Sequence, residues 1–168
     1  MASKELRDKR YALLGASWET PRLLSGMQAL TIFPMVLAKE DAKRGWNTQG
    51  FIRGYRGSPL AGYDQQLLAA KDLLDQYKIN FLPFSINEDL AATQVGGTQQ
   101  VHAFGSTLDG VYGIWYGKHP GFDRSHDPIR HAHYLGTTSR GGIVWLLGVI
   151  RARSHRLYRQ MVGEISST

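Results

Sequence analysis

Apolar positions along the chain alternate between helical and strand-like spacing. Met27, Leu30, Ile32, Phe33, Val36 and Leu37 recur at helical intervals behind Ser25, a good N-cap, and the pattern runs out near Arg44 and Gly45. Pro34 lies inside this stretch and predicts a kink or a break, because proline has no N–H for the preceding turn. A partly aromatic run at 50–55 predicts a strand that opens into a glycine-rich loop ending at Gly62. Asp64 is expected to cap the next helix, which carries Leu67, Ala70, Leu74 and Tyr77 on one face. Residues 79–86 read as a buried strand despite Pro83. Asn87 is a good N-cap, with Glu88 and Asp89 in the first turn behind it. A third strand at 110–116 leads into a polar loop at 117–125. Asp127-Pro128 marks a further helix start and Gly136 its end, and 142–147 is a fourth strand.

Strands alternating with helices predict an α/β fold: a three-layer arrangement with a parallel sheet and helices on both faces. Ligands of such sheets collect at the carboxyl ends of the strands. Three segments fall there: the 54–62 loop, the turn at 87–89 and the stretch from Lys118 to Asp127.

Composition narrows the classes. The chain of 168 residues suits one domain, and it has no cysteine, which excludes disulfides, thiolate zinc sites and cysteine-ligated clusters within it. Net charge is +6, of which Arg151, Arg153, Arg156 and Arg159 less Glu164 supply +3, so the rest is nearly balanced. No basic face interleaved with aromatics is visible, and nucleic acid is not an expected partner. The longest apolar stretches fall short of the roughly 18 to 20 residues that a membrane helix needs, and the first ten residues hold no secretory apolar run. The expected location is cytoplasmic. His126, His131 and His133 do not match a zinc spacing, and Arg130 among them repels a cation, so they read as a helix surface rather than a metal site.

Gly54-Tyr55-Arg56-Gly57-Ser58-Pro59-Leu60 is neither a P-loop nor a dinucleotide fingerprint. Alone it is a tight turn that permits close backbone approach, or a plain strand-to-helix loop. The ordered combination is far more specific. Gly-Phe-Ile-Arg-Gly-Tyr-Arg-Gly-Ser-Pro-Leu at 50–60, Asn-Glu-Asp-Leu-Ala-Ala-Thr at 87–93 and Gly-Ile-Trp-Tyr-Gly-Lys-His-Pro-Gly-Phe-Asp-Arg-Ser at 113–125 are followed by Arg130-His131-Ala132-His133, Gly136-Thr137 and Gly141-Gly142-Ile143-Val144. This set, covering about 26–147, resembles the N-terminal portion of indolepyruvate ferredoxin oxidoreductases, which are thiamine-diphosphate-dependent 2-oxoacid:ferredoxin oxidoreductases.

The resemblance implies a pyrimidine-binding α/β domain. A second, similar domain or subunit would hold magnesium and the diphosphate. It implies that Glu88 faces the pyrimidine ring. A carboxylate there hydrogen-bonds the ring nitrogen N1′ and favours the imino form of the 4′-amino group, the base that activates the thiazolium carbon. On the residues alone Glu88 is a first-turn carboxylate favoured by the helix dipole, and the two roles are compatible. By resemblance, Gly57, Ser58, Pro59, Asn87 and Lys118 lie by the cofactor, and Tyr55, Arg56 and Arg124 lie by the substrate. Arg56 or Arg124 would pair with a carboxylate or phosphate, or serve as an ordinary structural arginine. His119 is a weaker candidate. The family reaction decarboxylates a 2-oxoacid, an aryl pyruvate by resemblance. It passes electrons through iron–sulfur clusters of the full enzyme to ferredoxin, and the acyl group to coenzyme A.

The family pattern is lost after Leu147, where an arginine-rich stretch replaces it. The organisation expected is an N-terminal extension at 1–24, the pyrimidine domain at 25–148 and an off-family basic tail at 149–168. The chain is read as a truncated or frame-shifted fragment, inactive alone. The alternative is a non-catalytic α/β module whose basic tail touches a partner or a membrane.

Overall fold

The structure, a computed structural model, describes residues 23–56, 60, 62–83 and 85–148. The expected extension at 1–24 therefore falls almost wholly outside the described residues, and the tail at 149–168 wholly so.

Helix α1 (Gly26–Lys43) begins at Ser25 with a capping box. Ser25 Oγ accepts from the Gln28 amide at 3.3 Å while Gln28 Oε1 accepts from the Ser25 amide at 2.9 Å. The helix runs through Pro34 without a break. Pro34 leaves the Leu30 carbonyl without its usual donor, and Tyr63 Oη donates to that oxygen at 3.4 Å. Tyr112 Oη donates to the carbonyl of Pro34 itself at 3.1 Å. Two tyrosines from outside the helix thus hold it at its weakest point.

Four strands follow, β1 (Thr48–Gly54), β2 (Ile79–Phe81), β3 (Gly110–Lys118) and β4 (Gly142–Gly148). They lie in the order β2-β1-β3-β4, and all pairings are parallel. Ile52 stands beside Phe81 on one side and Ile114 on the other. Between the strands run α2 (Tyr63–Ala69), α3 (Lys71–Gln76), α4 (Glu88–Gly97) with a 3₁₀ extension (Thr98–Phe104), α5 (His119–Arg124) and α6 (His126–Leu135).

Alternation along the strands sends side chains into two cores, one on each face. Ile52, Ile79, Phe81, Tyr112, Ile114 and Tyr116 pack with Ile32 and Met35 of α1, with Tyr63 and Leu67 of α2 and with Leu74 of α3. Trp115, Phe51, Ile143 and Trp145 pack with Ala91, Ala92 and Val95 of α4, Phe122 of α5 and Ile129 of α6. The fold is therefore three-layered α/β with helices on both faces of a parallel sheet.

Several local expectations are corrected. Asp64 is not a cap: Gly62 holds that position, and Asp64 lies buried in the first turn of α2. The helix after it bends at Ala70, dividing α2 from α3, with Leu67, Ala70 and Leu74 all buried in one core. Strand β2 stops at Phe81 instead of reaching 86. The Leu82 amide still donates to the Ile52 carbonyl at 3.2 Å, but Pro83 has no N–H for the ladder. Arg53 Nη1 takes the Leu82 and Pro83 carbonyls at 3.0 and 3.2 Å. The expected loop at 117–125 is the end of β3 plus α5, a short helix with Pro120 in its first turn and Phe122 packed on Trp115. Helix α6 starts behind Ser125, so Asp127 is a first-turn acid and not the cap; Gly136 closes the helix at φ 73°.

Candidate functional site

Because every strand runs the same way, the segments after β1, β2 and β3 meet along one edge of the sheet. Glu88 is the first residue of α4. Asn87 Oδ1 accepts from the Leu90 amide at 2.8 Å, and Ser85 Oγ donates to the Asn87 carbonyl at 2.8 Å, which fixes the entry to the helix. The Glu88 carbonyl accepts from Trp115 Nε1 at 3.2 Å, tying the residue to the neighbouring strand.

The Glu88 side chain is only 8 % exposed, and its carboxylate has no hydrogen-bond partner among the described residues. It lies flat against Gly121 of α5. A β-carbon at 121 would stand 2.5 Å from Glu88 Oε1 and 2.7 Å from Cδ, so only glycine fits beside this carboxylate. The first turn of α4 favours a negative charge, and the near burial strengthens whatever interaction the carboxylate makes.

The next residue holds the opposite wall. Asp89 Oδ2 accepts from Arg124 Nε at 3.2 Å and Asp89 Oδ1 from Ser125 Oγ at 3.1 Å. Ser125 is fully buried, and its hydroxyl also lies 2.7 Å from the Gly121 carbonyl.

Of the residues singled out in the sequence, Asn87, Glu88 and Arg124 come together around this corner. Asn87 commits its side-chain oxygen to the cap, and Arg124 its Nε to Asp89. Lys118, half-buried, is the residue from which α5 starts. Tyr55 and Arg56 stand exposed just beyond β1, and the Tyr55 amide donates to the Tyr116 carbonyl at 3.0 Å. Gly57, Ser58 and Pro59 lie outside the described residues. The histidines of α6 are separately engaged: His126 rests edge-on against Phe122, 5.4 Å between ring centres, and His131 Nδ1 lies 3.0 Å from the Asp127 carbonyl. Among the described residues no group of three or more His, Asp or Glu side chains is gathered to hold a metal, and no helix is long and apolar enough to cross a membrane.

Asp89, Gly121, Ser125 and Trp115 were not marked out as site residues by the sequence. Asp89 carried a signal, as the second acid of one helical turn; the others act through contacts made far along the chain. At the same sheet edge, burial pushes the Tyr116 phenol above its ordinary range, with the Asp64 charge adding to the effect. Asp64 Oδ1 and Arg53 Nε are buried there without a hydrogen-bond partner among the described residues.

Comparison of the chain with protein-family models, curated proteins and solved structures finds no match.

Proposed function

We propose that this chain supplies the pyrimidine-facing half of a thiamine-diphosphate-dependent 2-oxoacid:ferredoxin oxidoreductase of the indolepyruvate type. The observation that carries the reading is Glu88, a nearly buried carboxylate at the carboxyl-end edge of a parallel sheet, without a partner among the described residues. An aminopyrimidine fits such a group, because its ring nitrogen offers the one contact the carboxylate lacks, in surroundings dry enough to make that contact strong. When bound, thiamine diphosphate supplies the carbon nucleophile and electron sink for decarboxylating a 2-oxoacid.

The chain's own residues do the rest of this half. Glu88 holds a proton at its carboxylate, shared with the ring nitrogen. The Asn87 cap and the Trp115 indole fix where that carboxylate stands. Arg56, exposed just after β1 beside Tyr55, or Arg124, whose Nε donates to Asp89, grips the substrate carboxylate in this reading. The other cofactor-side groups in this reading are Lys118 and the 57–59 segment. Magnesium, the diphosphate, the iron–sulfur clusters, and the sites for coenzyme A and ferredoxin belong to a further domain or subunit.

The test is a full-length version carrying the second domain. Glu88→Gln keeps the shape of the side chain and removes its ability to ionise. The expected outcome is loss of 2-oxoacid-dependent ferredoxin or dye reduction; retained turnover overturns the assignment.

A further inference from the structure

Two adjacent acids open α4, and they have divided the work. Glu88 presents a carboxylate without a partner among the described residues, whereas Asp89 Oδ2 accepts from Arg124 across the α4–α5 corner and Asp89 Oδ1 shares the single Ser125 hydroxyl proton with the Gly121 carbonyl. The Asp89 contacts end on Arg124 and on Ser125, which is fully buried. Ser125 Oγ reaches the Gly121 carbonyl at 2.7 Å, and the Ser125 amide donates to that same carbonyl at 3.1 Å. Gly121 in turn is the surface on which the Glu88 side chain lies, close enough that a methyl group there would overlap the carboxylate. The chain of contacts therefore runs from Asp89 through Ser125 to Gly121 and back to Glu88, closing a ring around the carboxylate.

We propose that Asp89 is a positioning residue for the Glu88 carboxylate, acting through Ser125 and Gly121 and not by touching a ligand. The ligand side of this inference rests on the reading of Glu88 as the pyrimidine-facing group; the positioning side does not. Without the Asp89 clamp α5 keeps the packing of Phe122 on Trp115, but the wall that selects the rotamer of the carboxylate is held less closely. The Arg124 pair is exposed and contributes little stability by itself, so its removal is a local event.

The experiment uses the full 168-residue chain with carbon-13-labelled glutamate, the Glu88 signal being assigned with Glu88→Gln. Side-chain couplings should report a single Glu88 rotamer in the unaltered chain and averaged rotamers in Asp89→Asn. Ser125→Ala, which breaks the relay one step later, should give the same averaging. Unchanged couplings in both variants overturn the proposal. A second arm titrates thiamine, which carries the aminopyrimidine without the diphosphate. Asp89→Asn should weaken its binding roughly tenfold, the scale on which groups that orient a contacting side chain act. In the Glu88→Gln background it should add nothing further, because a residue acting through Glu88 has no route left. Additive losses overturn the indirect role. Averaged rotamers in a chain that binds no thiamine at all uphold the positioning role and count against the pyrimidine reading, so the two fail separately.

Discussion

The hydroxyl of Tyr63 donates to the carbonyl of Leu30 at 3.4 Å, and Leu30 is the residue whose helical partner Pro34 removes. A proline in a helix interior costs about 3 kcal/mol, partly through that orphaned acceptor. Here the acceptor is met from α2, whose first residue is Tyr63, and the contact also docks α1 against α2. Tyr63→Phe should lower stability by about 1 kcal/mol in urea unfolding. Pro34→Ala restores an amide for Leu30, so Tyr63→Phe made in that background should cost clearly less. Equal costs in the two backgrounds would show that the hydroxyl does not serve the proline.

Gly54 and Tyr116 face each other in register at the carboxyl ends of β1 and β3. A β-carbon at 54 would run into the Tyr116 carbonyl and lie 2.5 Å from the base of its ring. Strand backbone cannot move aside for it, so Gly54→Ala should cost about 3 kcal/mol, the upper end of ordinary overpacking. Gly26, at the start of α1, has open space around the same position, and alanine there should be neutral or stabilise by up to about 1 kcal/mol. Thermal melts of the two variants give the comparison directly. Similar midpoints would contradict the steric account.

Burial raises the phenols of Tyr63, Tyr112 and Tyr116 above their ordinary range, with a further push from Tyr116, Asp41 and Asp64 respectively. All three groups stay neutral in the fold at a pH where the unfolded chain already ionises them. A raised folded value means that the stabilisation is intact below the unfolded value, roughly pH 10, and is lost as pH climbs above it. Ultraviolet titration should show these tyrosines silent until the fold gives way, with ionisation and loss of circular dichroism occurring together. Smooth ionisation of every tyrosine near pH 10 in a chain that stays folded would contradict the burial.

What the sequence made legible follows the range of the forces involved. The Ser25 cap, the Asn87 cap, the Gly136 stop and strands β1, β3 and β4 rest on neighbouring residues, and each was predicted to within two residues. The parallel three-layer arrangement follows from the order of those elements. Continuity through Pro34 was not legible, because its remedy comes from Tyr63 and Tyr112, far along the chain. Helix α5 is six residues long and is held by Phe122 on Trp115, so periodicity alone gave no sign of it. At the candidate site, Glu88 stood out through the ordered family motif. Asp89 and Gly121 lay in the same motifs without a role assigned to them, since their roles depend on a corner formed by residues more than thirty positions apart.

Arg53, in β1, holds the segment that leads from β2 toward Glu88. Its Nη1 reaches the carbonyls of Leu82 and Pro83 at 3.0 and 3.2 Å, holding the segment past Phe81 beside the one remaining bond from the Leu82 amide to Ile52. Hydrogen bonds from a charged donor are worth about 1.5 to 3 kcal/mol, and water reaches the exposed Leu82 well enough to replace part of that. Arg53→Met keeps an apolar stem of similar length and removes the guanidinium. The expected result is a stability loss of about 2 kcal/mol together with faster hydrogen exchange at the Leu82 and Leu90 amides, which bond the Ile52 carbonyl and the Asn87 side chain, while the amides of β3 stay protected. That local pattern separates a loosened approach to α4 from general destabilisation. Uniformly faster exchange across the sheet would mean that Arg53 serves the core and not the loop before Glu88.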